Sequence, residues 1–187
     1  EIIDEEEDLE VVGTAANGRI ALAKLPRLDP DIVTLDIDMP ELDGLETLSR
    51  TKAEYPTVKV VMLSNLTEKG AAATVESLFR GASDYVTKAS RMATAGEART
   101  YLREQLVPKL RALAGGPRRP RPAARTVVSA APLPLPPPAR VPIEIVAVGA
   151  STGGPNALQL VLQAMPASFV VPIVIVQHMP ENFTHYL

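Results

Sequence analysis

A chain of 187 residues with formal charge −3 and 46% hydrophobic residues has the composition of one or two globular domains. It contains no cysteine, which excludes a disulfide framework and any thiolate metal site. No apolar run reaches the roughly 18 residues a membrane span needs, and no signal peptide is legible, so the expected setting is the cytoplasm, without membrane insertion.

Residues 1–9 are acidic, and the like-charge run Asp4-Glu5-Glu6-Glu7-Asp8 reads as a solvated loop. Residues 10–15 read as a strand and 19–25 as a short amphipathic helix before an Asp29-Pro30 turn. The apolar run from Ile32 to Leu35 suits a buried parallel strand, which places Asp36 at its carboxyl end. Pro40 and Asp43-Gly44 then turn the chain into a helix ending near Glu54. A second buried run, 59–64, ends in the hydroxyl of Ser64, and a third, 82–88, ends in Lys88, with a helix over 70–79 between them. Alternating strands and helices argue for a parallel sheet covered on both faces. A last helical pattern, 92–113, contains Pro108, which is expected to kink or divide it.

The chemistry lies at the strand ends. Open α/β sheets bind ligands there, and an ionised Asp36 facing a loop that holds a divalent cation is a competent phosphate acceptor. Taken alone, Asp36 and Asp38 also fit the plainer role of turn and capping acids. An acid, a hydroxyl and an ammonium converging on one sheet edge argue against that role. In this combination residues 1–114 resemble a receiver domain of bacterial two-component signalling. The resemblance implies a flavodoxin-like doubly wound α/β fold and phosphorylation of Asp36 by a histidine kinase. It also implies phosphoryl contacts from Ser64 and Lys88, and a rotamer change at Tyr85. Magnesium would be held by Asp36 and by the backbone carbonyl of Asp38. In that family the first, central strand ends in an acidic pair that binds the ion. Neither is legible here, so the first strand is expected to be missing, and the run 4–8 precedes the wrong strand to replace its acids. The sequence also departs from the family at Ala89, where proline commonly follows the lysine.

Residues 115–142 differ in kind. They hold nine of the chain's eighteen prolines and five arginines, with no acidic or aromatic residue. This composition cannot bury a core and reads as a semi-rigid linker, on the order of 90 Å if fully extended and about 30 Å as a coil. Without an aromatic residue or reading helix, the arginines do not argue for nucleic-acid binding.

Residues 143–148 form a clean strand running into Gly149-Ala150-Ser151-Thr152-Gly153-Gly154-Pro155, followed by a helix over 156–163. Strand, glycine-rich turn and helix is the setting a nucleophilic serine needs. The tight turn lifts the hydroxyl clear, and the helix N-terminus favours developing negative charge. The competing reading, phosphate or dinucleotide binding, lacks both G-x-G-x-x-G and a P-loop lysine. A hydroxyl nucleophile needs a base. His178 follows the buried run 172–177 and so lies at a strand end on the same edge as Ser151, although a lone histidine is also commonly structural. His185 reads as a surface residue and Glu181 as a capping acid.

The motif from Val148 to Pro155, followed by Val176-Gln177-His178-Met179-Pro180, resembles the start of the catalytic domain of the CheB family, the chemotaxis protein-glutamate methylesterases. That family joins a receiver to such a domain through a linker, as here. The resemblance implies Ser151 as nucleophile, His178 as general base, and Thr152, Gly153 and Gly154 as the nucleophile turn and oxyanion site. It implies no cofactor for the esterase. The substrate would be methyl-esterified glutamate on chemoreceptors, and some members also deamidate receptor glutamine. The acid of the triad is expected beyond this chain. Residues 143–187 would be only the first β-α-β of a second doubly wound domain, and the fragment is expected to be inactive alone. A receiver acting as a non-catalytic signalling module, or fused to an unrelated serine hydrolase, is the alternative.

Overall fold

The structure, a computed structural model, describes residues 2–89, 92, 94–115 and 142–187, with Asn182 described by its backbone only. The proline-rich stretch read as a linker therefore lies outside the described residues, apart from Gly115 and Pro142.

Three runs rich in branched apolar residues form one parallel sheet in the order β1-β2-β3: β1 (Ile32–Asp36), β2 (Lys59–Ser64) and β3 (Asp84–Thr87). β2 is central, and its Val60, Val61 and Met62 have no exposed surface. That is the pattern of a strand covered on both faces. The register pairs Asp36 with Leu63 and Ser64 with Thr87, so Asp36, Ser64 and Lys88 all reach one edge. Helices α1 (Gly18–Leu28), α2 (Gly44–Glu54) and α3 (Glu68–Phe79) connect these segments. Each begins at a side-chain cap, Asn17, Asp43 and Thr67 in turn. Gly44 is required by close approach, because a Cβ there would stand 2.1 Å from the Asp36 carbonyl oxygen. The start of α2 is thus pressed against the end of β1, and this holds Asp36 in place.

Helix α4 (Ala95–Ala114) covers the opposite face of the sheet, where Leu106 and Leu110 pack on Val61 and Val86. It opens with a capping box of Thr94 and Glu97 and closes at Gly115 in the left-handed region. Of the two expectations for Pro108, a kink or a division, the division does not occur, since α4 runs unbroken through it. The residue is exposed, so its ring lies off the packed face, and the lost N–H donor is not a buried one.

Two further expectations are corrected near the N-terminus. Residues 10–15 form no strand, and Val11 and Val12 are exposed. In the flavodoxin-like order 2-1-3-4-5 the second strand pairs only with the first, and no such strand is among the described residues. The acidic run is solvated as expected at Asp4, Glu5, Glu7 and Asp8, but not at Glu6. Glu6 is buried and accepts from Arg103 Nε at 2.6 Å and from Arg111 at 2.8 Å. Asp8 takes the same Arg111, and Glu5 takes Arg99. Basic residues about a hundred positions away in sequence fasten this segment to α4.

The C-terminal segment adds a second parallel sheet, β4 (Val146–Ala150) with β5 (Ile173–Gln177), joined through α5 (Gly154–Ala164). Large apolar side chains on it remain exposed, among them Leu160 and Val176, so these residues alone do not enclose a core. Its last element, the 3-10 helix Glu181–Tyr186, lies against α3 and inserts Phe183 fully buried into the cluster of Leu48, Met62, Val75, Leu78 and Tyr85.

Candidate functional site

Two sites occupy the carboxyl ends of the two sheets. At the first, Lys88 Nζ donates to Asp36 Oδ2 at 2.5 Å, with both side chains about a third exposed. The Asp38 amide donates to Asp36 Oδ1 at 3.3 Å, and Asn65 Nδ2 donates to Asp38 Oδ2 at 3.2 Å. One carboxylate therefore faces solvent with an ammonium at its side. Ser64 is at the same edge, but its hydroxyl is turned toward α3. It donates to the Gly70 carbonyl at 3.1 Å and accepts from Thr74 Oγ1 at 2.5 Å. Asp36 and Lys88 are brought together, whereas the Ser64 hydroxyl makes no hydrogen bond to either.

Among the described residues no group of three or more His, Cys, Asp or Glu side chains converges on a point. Magnesium takes oxygen ligands in octahedral geometry and keeps several waters. Asp36 and Asp38 supply part of such a set, and Lys88 already holds one Asp36 oxygen, so the residues present do not by themselves make the site. No peptide bond among the described residues is cis, the one after Lys88 included.

Tyr85 is buried on β3, three residues before Lys88. Its ring lies 5.3 Å from that of Phe183, tilted by 38°, with Lys109 Nζ 4.9 Å from its centroid. Burial, reinforced by the neighbouring Asp84 carboxylate, pushes the phenol well above its ordinary pKa, so it stays neutral. Lys109 also donates to Asp84 Oδ1 and to the Tyr85 carbonyl, fixing α4 to β3.

The second site is built by the ends of β4 and β5. The ladder continues one step past the strands, where the His178 amide donates to the Ala150 carbonyl at 2.9 Å. This sets the two following side chains side by side, with Ser151 Oγ 3.2 Å from His178 Nδ1. Gly153 adopts φ 71°, in the left-handed region that favours glycine, and caps α5. The serine hydroxyl and the imidazole are exposed. With Nδ1 unprotonated, the ring can take the hydroxyl proton, and Nε2 is left for an orienting partner. Among the described residues no acidic side chain hydrogen-bonds His178. Of the three amides expected at an oxyanion site, that of Gly154 is engaged by the Ser151 carbonyl at 2.7 Å. Glu181 and exposed His185 contribute nothing to the pair.

The second site faces β3 and α4. A cavity of ≈ 490 Å³ is walled on one side by Ser151 and His178 and on the other by Thr87, Tyr101 and Lys109. Asn156 Nδ2 donates to the Ala82 carbonyl at 2.8 Å, a second tie between the C-terminal segment and the first sheet's layer beside that of Phe183. Sequence reasoning assigned no role to Asn156, Gln177 or Phe183. Gln177 stood inside a quoted motif, but a single apolar ring five residues past a histidine carries no periodic signal.

Comparison with known proteins agrees with both halves. The family described as "Response regulator receiver domain" matches residues 1–98, and that described as "CheB methylesterase" matches residues 146–187. The chain is 45% identical to the protein-glutamate methylesterase/protein-glutamine glutaminase of Trichodesmium erythraeum, over 98% of this chain and 53% of that protein. It is 39% identical to the Thermotoga maritima protein of the same name, over 100% of this chain and 52% of that one. The crystal structure of the response regulator domain of Thermotoga maritima CheB superposes with TM-score 0.54 at 39% identity, covering 62% of this chain and 84% of that chain. The chain thus spans about half the length of the curated relatives it matches.

Proposed function

Since the chain belongs to the response regulator receiver family and continues into the opening of a CheB methylesterase domain, we propose that it is part of a phosphorylation-regulated protein-glutamate methylesterase. The observation that carries this reading is the Ser151–His178 hydrogen bond at the ends of adjacent parallel strands. In the proposed hydrolysis His178 Nδ1 takes the proton of Ser151 Oγ as that oxygen attacks the ester carbonyl of a methylated glutamate. The tetrahedral adduct collapses with cleavage of the bond to methoxide. The imidazolium returns the proton to the leaving oxygen, releasing methanol. Water, deprotonated by the same imidazole, then cleaves the acyl-enzyme to glutamate and restores the serine. The same route on a glutamine side chain would release ammonia.

In this reading the substrate is the methylated cytoplasmic part of chemoreceptors, the setting is the cytoplasm, and a chemotaxis histidine kinase supplies phosphate. Asp36 attacks the phosphorus and displaces the donor, and Lys88 balances charge on the phosphoryl oxygens. Ser64 must turn its hydroxyl from α3 to join them. Magnesium, when bound, neutralises charge at that site. Asp36 and the Asp38 carbonyl would be among its ligands, although the described residues bring no third acid there. Regulation is supported by the cavity: as long as Phe183 and Asn156 hold the domains together, the receiver stands across the opening to Ser151.

The experiment is active-site labelling of the full-length protein with a fluorophosphonate. Mass mapping should place the adduct on Ser151, with labelling slowed by His178→Ala and abolished by Ser151→Ala. Labelling that persists in Ser151→Ala removes the reading.

A further inference from the structure

The Ser151 carbonyl oxygen is held from two directions. The Gly154 amide donates to it at 2.7 Å, and Gln177 Nε2 donates to it at 3.1 Å. The same Nε2 donates to the His178 carbonyl at 3.3 Å. One side-chain amide therefore bridges the backbones of the two residues whose side chains meet at 3.2 Å. Its oxygen is buried and has no partner, and a Cβ on Gly154 would stand 2.2 Å from it and 2.8 Å from the Ala150 Cβ. Reversing the amide would set that oxygen against two carbonyl oxygens and leave the NH₂ without acceptors, so the observed orientation is the chemically required one.

We infer that Gln177 is a positioning residue for the nucleophile, packed where a side chain on Gly154 would have to go. The inference rests on Ser151 as nucleophile and His178 as base. The direction of a serine hydroxyl follows its backbone. Tying the Ser151 carbonyl to the strand that carries His178 holds Oγ and Nδ1 in register through the reaction. Because both Nε2 bonds go to the protein backbone, Gln177 acts on the chemical step and not on substrate affinity.

The test uses the full-length protein and methanol release from methylated receptor, with fluorophosphonate titration to count folded active sites. Gln177→Met keeps the length of the side chain and removes both bonds. We expect its kcat to fall by about 10²-fold, as for a small misplacement of a reacting group, with KM within about twofold and the labelling rate down in step. Gln177→Glu presents a carboxylate to two carbonyl oxygens. Its activity relative to wild type should be lowest at high pH and should recover as the pH falls and the carboxyl gains a proton to donate. Gly154→Ala should also lower kcat, since its methyl group displaces the Gln177 amide. The pH recovery in Gln177→Glu is read per titrated site and keeps the test valid if a second variant folds poorly. A kcat for Gln177→Met within about twofold of wild type, or a loss confined to KM, overturns the inference while Ser151→Ala remains inactive. Full activity in Ser151→Ala instead overturns the esterase reading, and the inference falls with it.

Discussion

Phe183→Ala should free the catalytic pair from the receiver. Phe183 has no exposed surface, and its ring packs against Tyr85 within the receiver cluster. Burying a side chain of this size contributes about 1.5–3 kcal/mol, and a tilted aromatic pair adds about 0.5–1.5 kcal/mol. Truncation therefore weakens docking by about 2–4.5 kcal/mol, roughly 30- to 1,600-fold in the docking equilibrium. Asn156 remains bonded to Ala82, so the observed release falls short of complete separation. The assay is methanol release by the full-length protein with and without a small-molecule phosphodonor. Basal activity should rise toward the stimulated level, and the phosphodonor should add little more. The rise is capped by the activity of the fully released enzyme, so it reads as a lower bound on the docking change. Basal and stimulated rates both equal to those of wild type would refute the assignment of Phe183 as the docking anchor.

Three other outcomes follow from the geometry. Asp36→Asn should leave basal hydrolysis intact and remove stimulation, since an amide cannot accept the phosphoryl group; breaking its partly exposed pair with Lys88 should cost at most about 1 kcal/mol, read as a small shift in Tm. The hydrogen bond from Arg103, then that from Arg111, holds the Glu6 carboxyl below its ordinary pKa, and Arg111 does the same for Asp8. A depressed folded-state pKa gives stability that is present above the ordinary carboxylate range and lost as the pH falls through and below it. Amide exchange in α4 should therefore accelerate below about pH 4, and Glu6→Gln should blunt that acid response; an unchanged response would contradict the role of the pair. The 187-residue chain by itself should take up phosphate slowly, because among the described residues no third acid joins Asp36 and Asp38 at the site. Labelling at the rate of the full-length protein would contradict this.

The sequence was most informative where a side chain's fate depends on its neighbours in the chain. Apolar runs located the five strands among the described residues, and strand-end logic brought Asp36 beside Lys88 and Ser151 beside His178. Long-range partners were not legible. Residues 10–15 have strand composition but no ladder partner among the described residues. The acidic run reads as solvated until α4, about a hundred residues on, brings three arginines to it. Ser64 was placed at the right edge, yet nothing local foretold that Thr74 and Gly70 would take its hydroxyl. Pro108 is tolerated because of which helix face it occupies, and that is set by tertiary packing.

The central claim is that Ser151 and His178 hydrolyse glutamyl methyl esters under control of Asp36. Methanol release from methylated receptor membranes, measured on the full-length wild type, Ser151→Ala and Asp36→Asn with and without phosphodonor, tests it most directly. The account requires no release from Ser151→Ala, basal release without stimulation from Asp36→Asn, and stimulated release from wild type. Near-normal release from Ser151→Ala, or full stimulation of Asp36→Asn, would contradict it.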